Sequence, residues 1–507
     1  MKGKSALKSN RMDAVAGEPQ TVDTDLVIVS AFENAANTLA PWVQATGGEL
    51  ERALESREFS AKLFEMFVTP IAAPGFRARR LAVVGLGPRH AFAVDTARRA
   101  ATVAGLAARQ RKIARIAFIA DSPLDTPDVI QAIAEGLTLA EFDAGQYKTA
   151  GDPPFQLGAS AIVLKEASRE AGTAAVHRGR VIGEHCNIAR QLDNEPGNSL
   201  TPSVFAERIA QVARSGGLAV EVLEQPELER LGMGMLLGVG RGSAEPPRLV
   251  TLRYEPAAAS RTPVLGLVGK GITFDTGGIS IKPALDMGRM KDDMAGGAAV
   301  ACAMRAIAAL GVPIRVVGVV PIAENMPGGR AIRPGDVLKS ASGKTVEVVN
   351  TDAEGRLILA DALWYAQKLG ATHLVDIATL TGAISVALGR ITSGLFGTPQ
   401  SFVDRVRDVA ERAGDRAWPL PLFEEYKDEL RSDIADMINT AGRMGGAITA
   451  AMFLREFTGG LPWIHLDIAG TAWAEENKPY MPKGPTGVGV RTLIEIASAV
   501  GEWKLPS

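Results

Sequence analysis

The chain has 507 residues, more than one hydrophobic core supports, so its length predicts two domains, each able to bury a core without covalent staples. Apolar residues make up 46% and charged residues 22%, a balance that excludes an intrinsically disordered chain. A formal net charge of −2 argues against nucleic acid or an anionic membrane as the main partner, and two cysteines, Cys186 and Cys302, are too few for a disulfide framework or a thiolate zinc site.

The opening stretch MKGKSALKSNRMDAVAGEPQ carries Lys2, Lys4, Lys8 and Arg11 with no apolar run behind them, and no segment of the chain is long and apolar enough to span a bilayer. A solvated arm over 1–20 and a cytoplasmic protein without membrane association are expected. Short apolar runs then alternate with amphipathic stretches: LVIVSAF from Leu26, RRLAVVGLG from Arg79, IARIAFIAD from Ile113 and SAIVL from Ser160. That alternation predicts β-α-β units and a smaller N-terminal α/β domain over 21–165 with a parallel or mixed sheet. Gly85 and Gly87 invite a dinucleotide-binding reading, but His90 replaces the third glycine and no acidic residue clearly fills the ribose position, so a plain strand-to-helix turn is favoured.

From Lys165, KEASREAGTAAVHRGRVIGEHCNIARQL has no proline and a helical apolar recurrence, which predicts a linking helix over 166–192. The turn cluster Asn194-Glu195-Pro196-Gly197-Asn198 follows it, and Thr201-Pro202 offers the start of the next helix. A larger α/β domain over 193–507 has its own series: PVLGLVG from Pro263, a helix from Ala295, PIRVVGVVP from Pro313, a helix from Arg356 and THLVDIATL from Thr372. Its sheet is expected to be mixed and largely parallel.

The chemistry concentrates in VGKGITFDTGGISIKPALDMGRMKDDMAGGAA from Val268 and NTDAEGRL from Asn350. The first piece leaves an apolar strand and presents Lys270, Asp275, Lys282 and the pair Asp292-Asp293 among glycines, at a strand end where open α/β sheets place ligands. The second follows VEVV as if at another strand end. In an extended segment Asp352 and Glu354 would point to one side, with Arg356 on the same alternation. Asp275, Asp292 or Asp293, Asp352 and Glu354 would thus bring three or four carboxylates together. Such a set stays ionised only beside cations, and oxygen ligands suit Mg²⁺, Mn²⁺ or Zn²⁺, often two ions sharing carboxylates. The five histidines include no i, i+4 pair, so a histidine-based zinc site is disfavoured. An ordinary ion network with Lys270, Lys282, Lys291 and Arg356 is the bland alternative, and the P-loop spacing is absent around Lys270.

These segments resemble the leucyl aminopeptidases of the cytosol aminopeptidase type. NTDAEGRL matches that family's signature in full, and the likeness extends through NEPGNSLTP from Asn194, GKGITFDTGGISIKP from Gly269, SDIADMINTAGRMGGAITAAMFL from Ser432, WIHLDIAG from Trp463 and PKGPTGVGVRTL from Pro482. The resemblance implies a macro-like N-terminal domain and a peptidase that removes amino-terminal residues, preferably leucine and other apolar ones. It implies that Lys270, Asp275, Asp293 and Glu354 bind one metal ion, Mn²⁺ or Zn²⁺, and that Asp275, Asp352 and Glu354 bind a second. Asp293 is preferred to Asp292 because the family's ligand directly precedes a methionine, here Met294. Lys282 and Arg356 correspond to its catalytic pair, Arg356 holding a bicarbonate ion. Met290, Asn350, Thr379, Leu380 and Gly382 match positions of its substrate pocket. Thr276 departs from the serine common there and keeps the hydroxyl. A homohexamer and, from some bacterial relatives, a secondary DNA-binding role are further implications. A two-metal phosphoesterase is the rival enzyme class, disfavoured by two lysines at the metals.

Overall fold

The computed structural model describes residues 11–150 and 155–499. The chain forms two compact units, residues up to Ile188 with Glu476–Lys483, and Ala189–Glu475 with the chain from Gly484 onward. The boundary falls within the helix Arg169–Asn194, which covers the expected linking helix and begins after a short 3-10 turn at Glu166–Ser168.

The first unit holds β1 (Arg11–Ala16), β2 (Leu26–Ala31), β3 (Met66–Pro70), β4 (Arg80–Gly85), β5 (Arg115–Ile119) and β6 (Ala159–Leu164). They form one sheet in the order β1-β6-β5-β2-β4-β3, parallel except for β3. Period-two alternation sends Leu26, Ile28, Ala82 and Val84 to the face packed with Ala97, Ala101 and Ile133 of the helices Val94–Gln110 and Pro127–Leu139. Val27, Val29, Leu81 and Val83 go to the other face with Leu50 and Phe59. Both faces are therefore covered, and the strands read as continuous apolar runs.

The expected free arm over 1–20 does not hold for Arg11–Ala16. These residues pair with β6 from Arg11↔Ala159 to Ala16↔Leu164, and Met12 is buried in the core. Lys2, Lys4 and Lys8 lie outside the described residues.

The second unit holds β7 (Ala219–Leu223), β8 (Arg248–Tyr254), β9 (Val264–Gly269), β10 (Gly271–Asp275), β11 (Arg315–Asn325), β12 (Val337–Lys339), β13 (Thr345–Glu347), β14 (His373–Ala378), β15 (Ser393–Thr398), β16 (Ala417–Pro419), β17 (Met437–Ile438) and β18 (Trp463–Asp467). The main sheet runs β16-β15-β18-β14-β9-β11-β8-β7, with β10 added alongside β11. Its centre, β18-β14-β9-β11, is parallel, and antiparallel pairs flank it. β9 and β10 are successive stretches along β11, pairing Val268↔Val319 and then Gly271↔Ile322, and Lys270 stands at the break between them.

NTDAEGRL does not follow a strand of that sheet. β13 belongs to a separate three-stranded sheet, β12-β13-β17, and Thr351-Asp352 form a turn before the helix Gly355–Lys368. Glu354 is the helix cap with helical dihedrals (φ −77°, ψ −35°), so extended alternation does not relate it to Asp352. A bend answers to the same local sequence as a strand end. The tertiary partners described below decide between them.

Asp361, fully buried on the helix Gly355–Lys368, ties three segments together. It accepts from the amides of Met235 (3.1 Å) and Leu236 (3.0 Å) in the first turn of the helix Gly234–Gly240, and from Ala341 (2.8 Å). Asp361→Ala leaves three buried donors unpaired and is expected to cost about 3–5 kcal/mol, read as a lower urea midpoint. Burial pushes the Asp361 pKa up to about 7. The folded value exceeds the ~3.9 of an unfolded aspartate, so this group's stabilising share is present at low pH and is lost as pH rises through about 7. The variant's pH–stability curve is expected to lack that fall.

Candidate active site

The residues singled out in the sequence converge at the carboxyl end of the main sheet. Asp275 closes β10 opposite Asn325 at the end of β11. Asp293 ends the 3-10 turn Met287–Asp292, just before the helix Ala295–Ala309, whose Gly297 amide donates to the Lys270 carbonyl (2.7 Å). Lys270 Nζ lies 2.8 Å from Asp293 Oδ1, 2.9 Å from Glu354 Oε1 and 3.0 Å from the Thr379 carbonyl. Lys282 Nζ lies 2.9 Å from Asp275 Oδ2 and also pairs with Asp352. Asp292 is not part of this cage. It accepts from Arg289 Nη2 (2.8 Å), so geometry brings Asp293 and not Asp292 to Lys270.

Two glycines permit the close approach. A Cβ on Gly355 would sit 2.7 Å from Lys270 Nζ, and Gly277 turns at φ +86° where a Cβ would meet the Ser280 carbonyl at 2.5 Å. The Gly277 amide donates to Asp275 Oδ1 (2.8 Å).

Four carboxylates facing two ammonium groups set the electrostatics. Burial disfavours charge on Lys270, yet Asp293, Glu354 and Asp275 outweigh it and hold its pKa above the ordinary lysine value. Lys282 is raised likewise: burial opposes its charge, and Asp275, Glu354 and Asp352 prevail. Burial, with the charge of Glu354, pushes Asp275 up to about 6. Burial also raises Asp293 and Asp352. Glu354 goes the other way, because Lys270 and Lys282 overcome its burial. Carboxylates that resist ionisation while crowded around cations are a high-energy arrangement, which a more highly charged cation relieves.

The donor set fits divalent metal. One ligand atom from each of Asp275, Asp293 and Glu354 lies within 4.8 Å of the others, and Asp293 Oδ2 is buried with no hydrogen-bond partner. Asp352 stands beside this trio through Lys282 and is not part of it. All the acceptors are carboxylate oxygens, suited to hard or borderline dications.

Arg356, in the first turn of the helix Gly355–Lys368, is buried. Its Nη1 donates to the Asn439 carbonyl (2.9 Å) and its Nε has no partner. Burial pulls its pKa down to about 10 against the pull of Glu354 and Asp467, so it remains a cation at neutral pH.

The expected pocket positions divide by what they touch. Thr379 Oγ1 donates to Asp293 Oδ1 (2.7 Å), while Asn350 Oδ1 accepts from the Asp352 amide (2.9 Å) and closes the turn. Met290 and Leu380 are half-buried, and Leu380 packs on the apolar core. Gly382, exposed, opens the helix Gly382–Leu388.

Three residues at the site escape the sequence reading. Asn325 donates to Asp275 Oδ1 (2.9 Å) and to the Thr351 carbonyl (3.0 Å). Asp467 accepts from the Leu380 amide (3.1 Å) and from Thr381 Oγ1 (2.7 Å). Asn439 binds the turn bearing Asp352. Asp467 and Asn439 lie in WIHLDIAG and SDIADMINTAGRMGG, which flagged their segments but not their partners. Asn325 had no signal beyond its place at a strand end. His465 is buried against Asp376 (2.6 Å), in line with a metal cage built without histidine.

A buried cluster of Lys270 with Asp275, Asp293 and Glu354 at the end of a mixed α/β sheet defines the class, a protein with a candidate divalent-metal centre. The profile described as the cytosol aminopeptidase family, catalytic domain, matches residues 187–494, and that of the family's N-terminal domain matches residues 28–151. A probable cytosol aminopeptidase of Solibacter usitatus (strain Ellin6076) is 48% identical over 483 residues, 95% of this chain and 97% of that protein. One of Koribacter versatilis (strain Ellin345) is 45% identical, covering 96% and 98%. Among solved structures, a tomato leucine aminopeptidase mutant is similar at a TM-score of 0.87 and 31% identity over 98% of each chain. The bottromycin maturation enzyme BotP in complex with Mn is similar at 0.83 and 38%, covering 94% of this chain and 99% of that one. The chain belongs to the cytosol aminopeptidase family and is an aminopeptidase.

Proposed function

We propose that this aminopeptidase uses two divalent ions, Mn²⁺ or Zn²⁺, to release leucine and other apolar residues from the amino terminus of peptides. The observation that carries the reading is the buried cluster of Lys270, Asp275, Asp293 and Glu354, in which Asp293 Oδ2 has no hydrogen-bond partner. Lys270, Asp275, Asp293 and Glu354 would hold one ion, and Asp275, Asp352 and Glu354 the other. When bound, the ions lower the pKa of a water and polarise the scissile carbonyl. Lys270 would hold the ion as a neutral amine, since dications among the same carboxylates would favour loss of its proton. Lys282 keeps its ammonium and sets it where the oxyanion develops. Arg356 cannot serve as a base, and its free Nε–H suits it to hold bicarbonate, which can.

Met290 and Leu380, with Asn350, Thr379 and Gly382, would line the pocket for the first side chain, the apolar pair favouring leucine. A free α-amine is required as a metal-facing group, which limits cleavage to the chain end. Assembly as a homohexamer rests on the family resemblance, and large apolar side chains left exposed on the second unit, including Leu285 (84%), Val386 (89%) and Met444 (91%), are groups that self-association of any order would cover. Light scattering is expected to return six times the 53.3 kDa chain mass. A cytoplasmic setting rests on the resemblance to the cytosol aminopeptidase family, and among the described residues no helix is long and apolar enough to cross a membrane. A secondary DNA-binding role rests on resemblance and is tested by filter binding across a salt series.

The deciding experiment is chelation followed by metal add-back, assayed side by side on leucyl amide and an aryl phosphate. Restored leucine release without phosphate release is expected. The reverse would replace the peptidase reading with a phosphoesterase.

A further inference from the structure

The turn 349–353 is closed from within by the Asp352 amide on Asn350 Oδ1 (2.9 Å) and the Ala353 amide on the Asn350 carbonyl (3.3 Å), and one fully buried side chain holds it from outside. Asn439 follows β17, and its amide donates to the Glu347 carbonyl (2.9 Å), extending the pairing of β17 with β13. Its side-chain amide then takes over where the strand stops. Oδ1 accepts from the amides of Val349 (2.9 Å) and Asn350 (3.3 Å), and Nδ2 donates to the carbonyls of Asn350 (2.7 Å) and Ala353 (3.4 Å). Its own carbonyl accepts Arg356 Nη1 (2.9 Å). One residue thus touches the backbone on both sides of Asp352 and the guanidinium two residues past Glu354.

The opposite side of the turn is held separately. Thr351 Oγ1 donates to the Gly277 carbonyl (2.6 Å) and accepts from the Ser280 amide (2.8 Å), and Asn325 holds the Thr351 carbonyl. Removing the Asn439 side chain would therefore leave Thr351 attached to the 277–280 loop and to Asn325 while releasing the backbone of Val349, Asn350 and Ala353 on either side of Asp352.

We infer that Asn439 is a positioning residue that sets the register of Asp352, Glu354 and Arg356. It touches neither substrate nor metal and acts through the turn. The inference rests on the two-metal peptidase reading, from which the test separates it.

Asn439→Ala removes all four side-chain bonds. Asn439→Asp keeps the acceptor but turns an oxygen toward the Asn350 and Ala353 carbonyls. Each is expected to lower kcat for leucyl amide about 10–100-fold with KM little changed, and to weaken Mn²⁺ binding by calorimetry by a similar factor. A purely structural role would lower the melting temperature without moving Mn²⁺ affinity in the folded protein. In an Asp352→Asn background, Asn439→Ala is expected to weaken Mn²⁺ binding by less than it does in the wild type, because Asp352 is one of the ligands it places. Folded variants with unaltered kcat and Mn²⁺ affinity overturn the inference, as does failure of both variants to fold, since Asn439 would then hold the fold and not the register. Should the wild-type chain itself release no leucine with metal present, the peptidase reading fails instead.

Discussion

Asp352→Asn is expected to lower kcat on leucyl amide about 10²–10³-fold or more, the several kcal/mol that a displaced metal ion withdraws from the transition state. The fold should survive the change. Asp352 is a partly buried carboxylate whose pKa is raised by burial, and it shares Lys282 with Asp275. A neutral amide there removes like-charge repulsion, so the melting temperature in chelator is expected to hold or rise. The increment that saturating Mn²⁺ adds to the melting temperature is expected to shrink, because that increment grows with metal affinity. Equal increments in variant and wild type would remove Asp352 from the metal site.

The second expectation separates charge from coordination. Lys282→Ala should reduce kcat by about 10²–10³-fold with little change in KM, the loss typical of a missing oxyanion partner. Metal affinity is expected to behave in the opposite way from Asp352→Asn. The Lys282 ammonium sits on Asp275 and Asp352 and competes with any cation for their oxygens. Its removal should leave Mn²⁺ binding intact or tighter while catalysis falls. A parallel loss of affinity and rate would make Lys282 part of the cage and not a partner of the reaction. Calorimetry and steady-state kinetics on the same preparations decide this.

What could be read beforehand follows from the range of the interactions involved. Continuous apolar runs announced β2, β4, β9, β11 and β14 because each strand is buried on both faces, and burial selects residue type position by position. Lys270, Asp275, Asp352, Glu354 and Arg356 were legible because crowded charges among glycines in an apolar setting are costly without a purpose. The residue carrying the opening of β1 was not legible: Arg11–Ala16 is short, and only its pairing with β6 orders it.

The sequence by itself determined which charged side chains crowd among glycines and that they leave the ends of α/β elements, since residue type and local spacing dictate charge, helix starts and strand faces. Only the tertiary structure decided that Asp352 sits in a turn and that Asn325 and Asn439 hold the acidic loops. The physical reason is that a carboxylate's direction depends on backbone hydrogen bonds supplied from distant segments. Those partners become neighbours only when the sheets close, and no local pattern encodes their arrival.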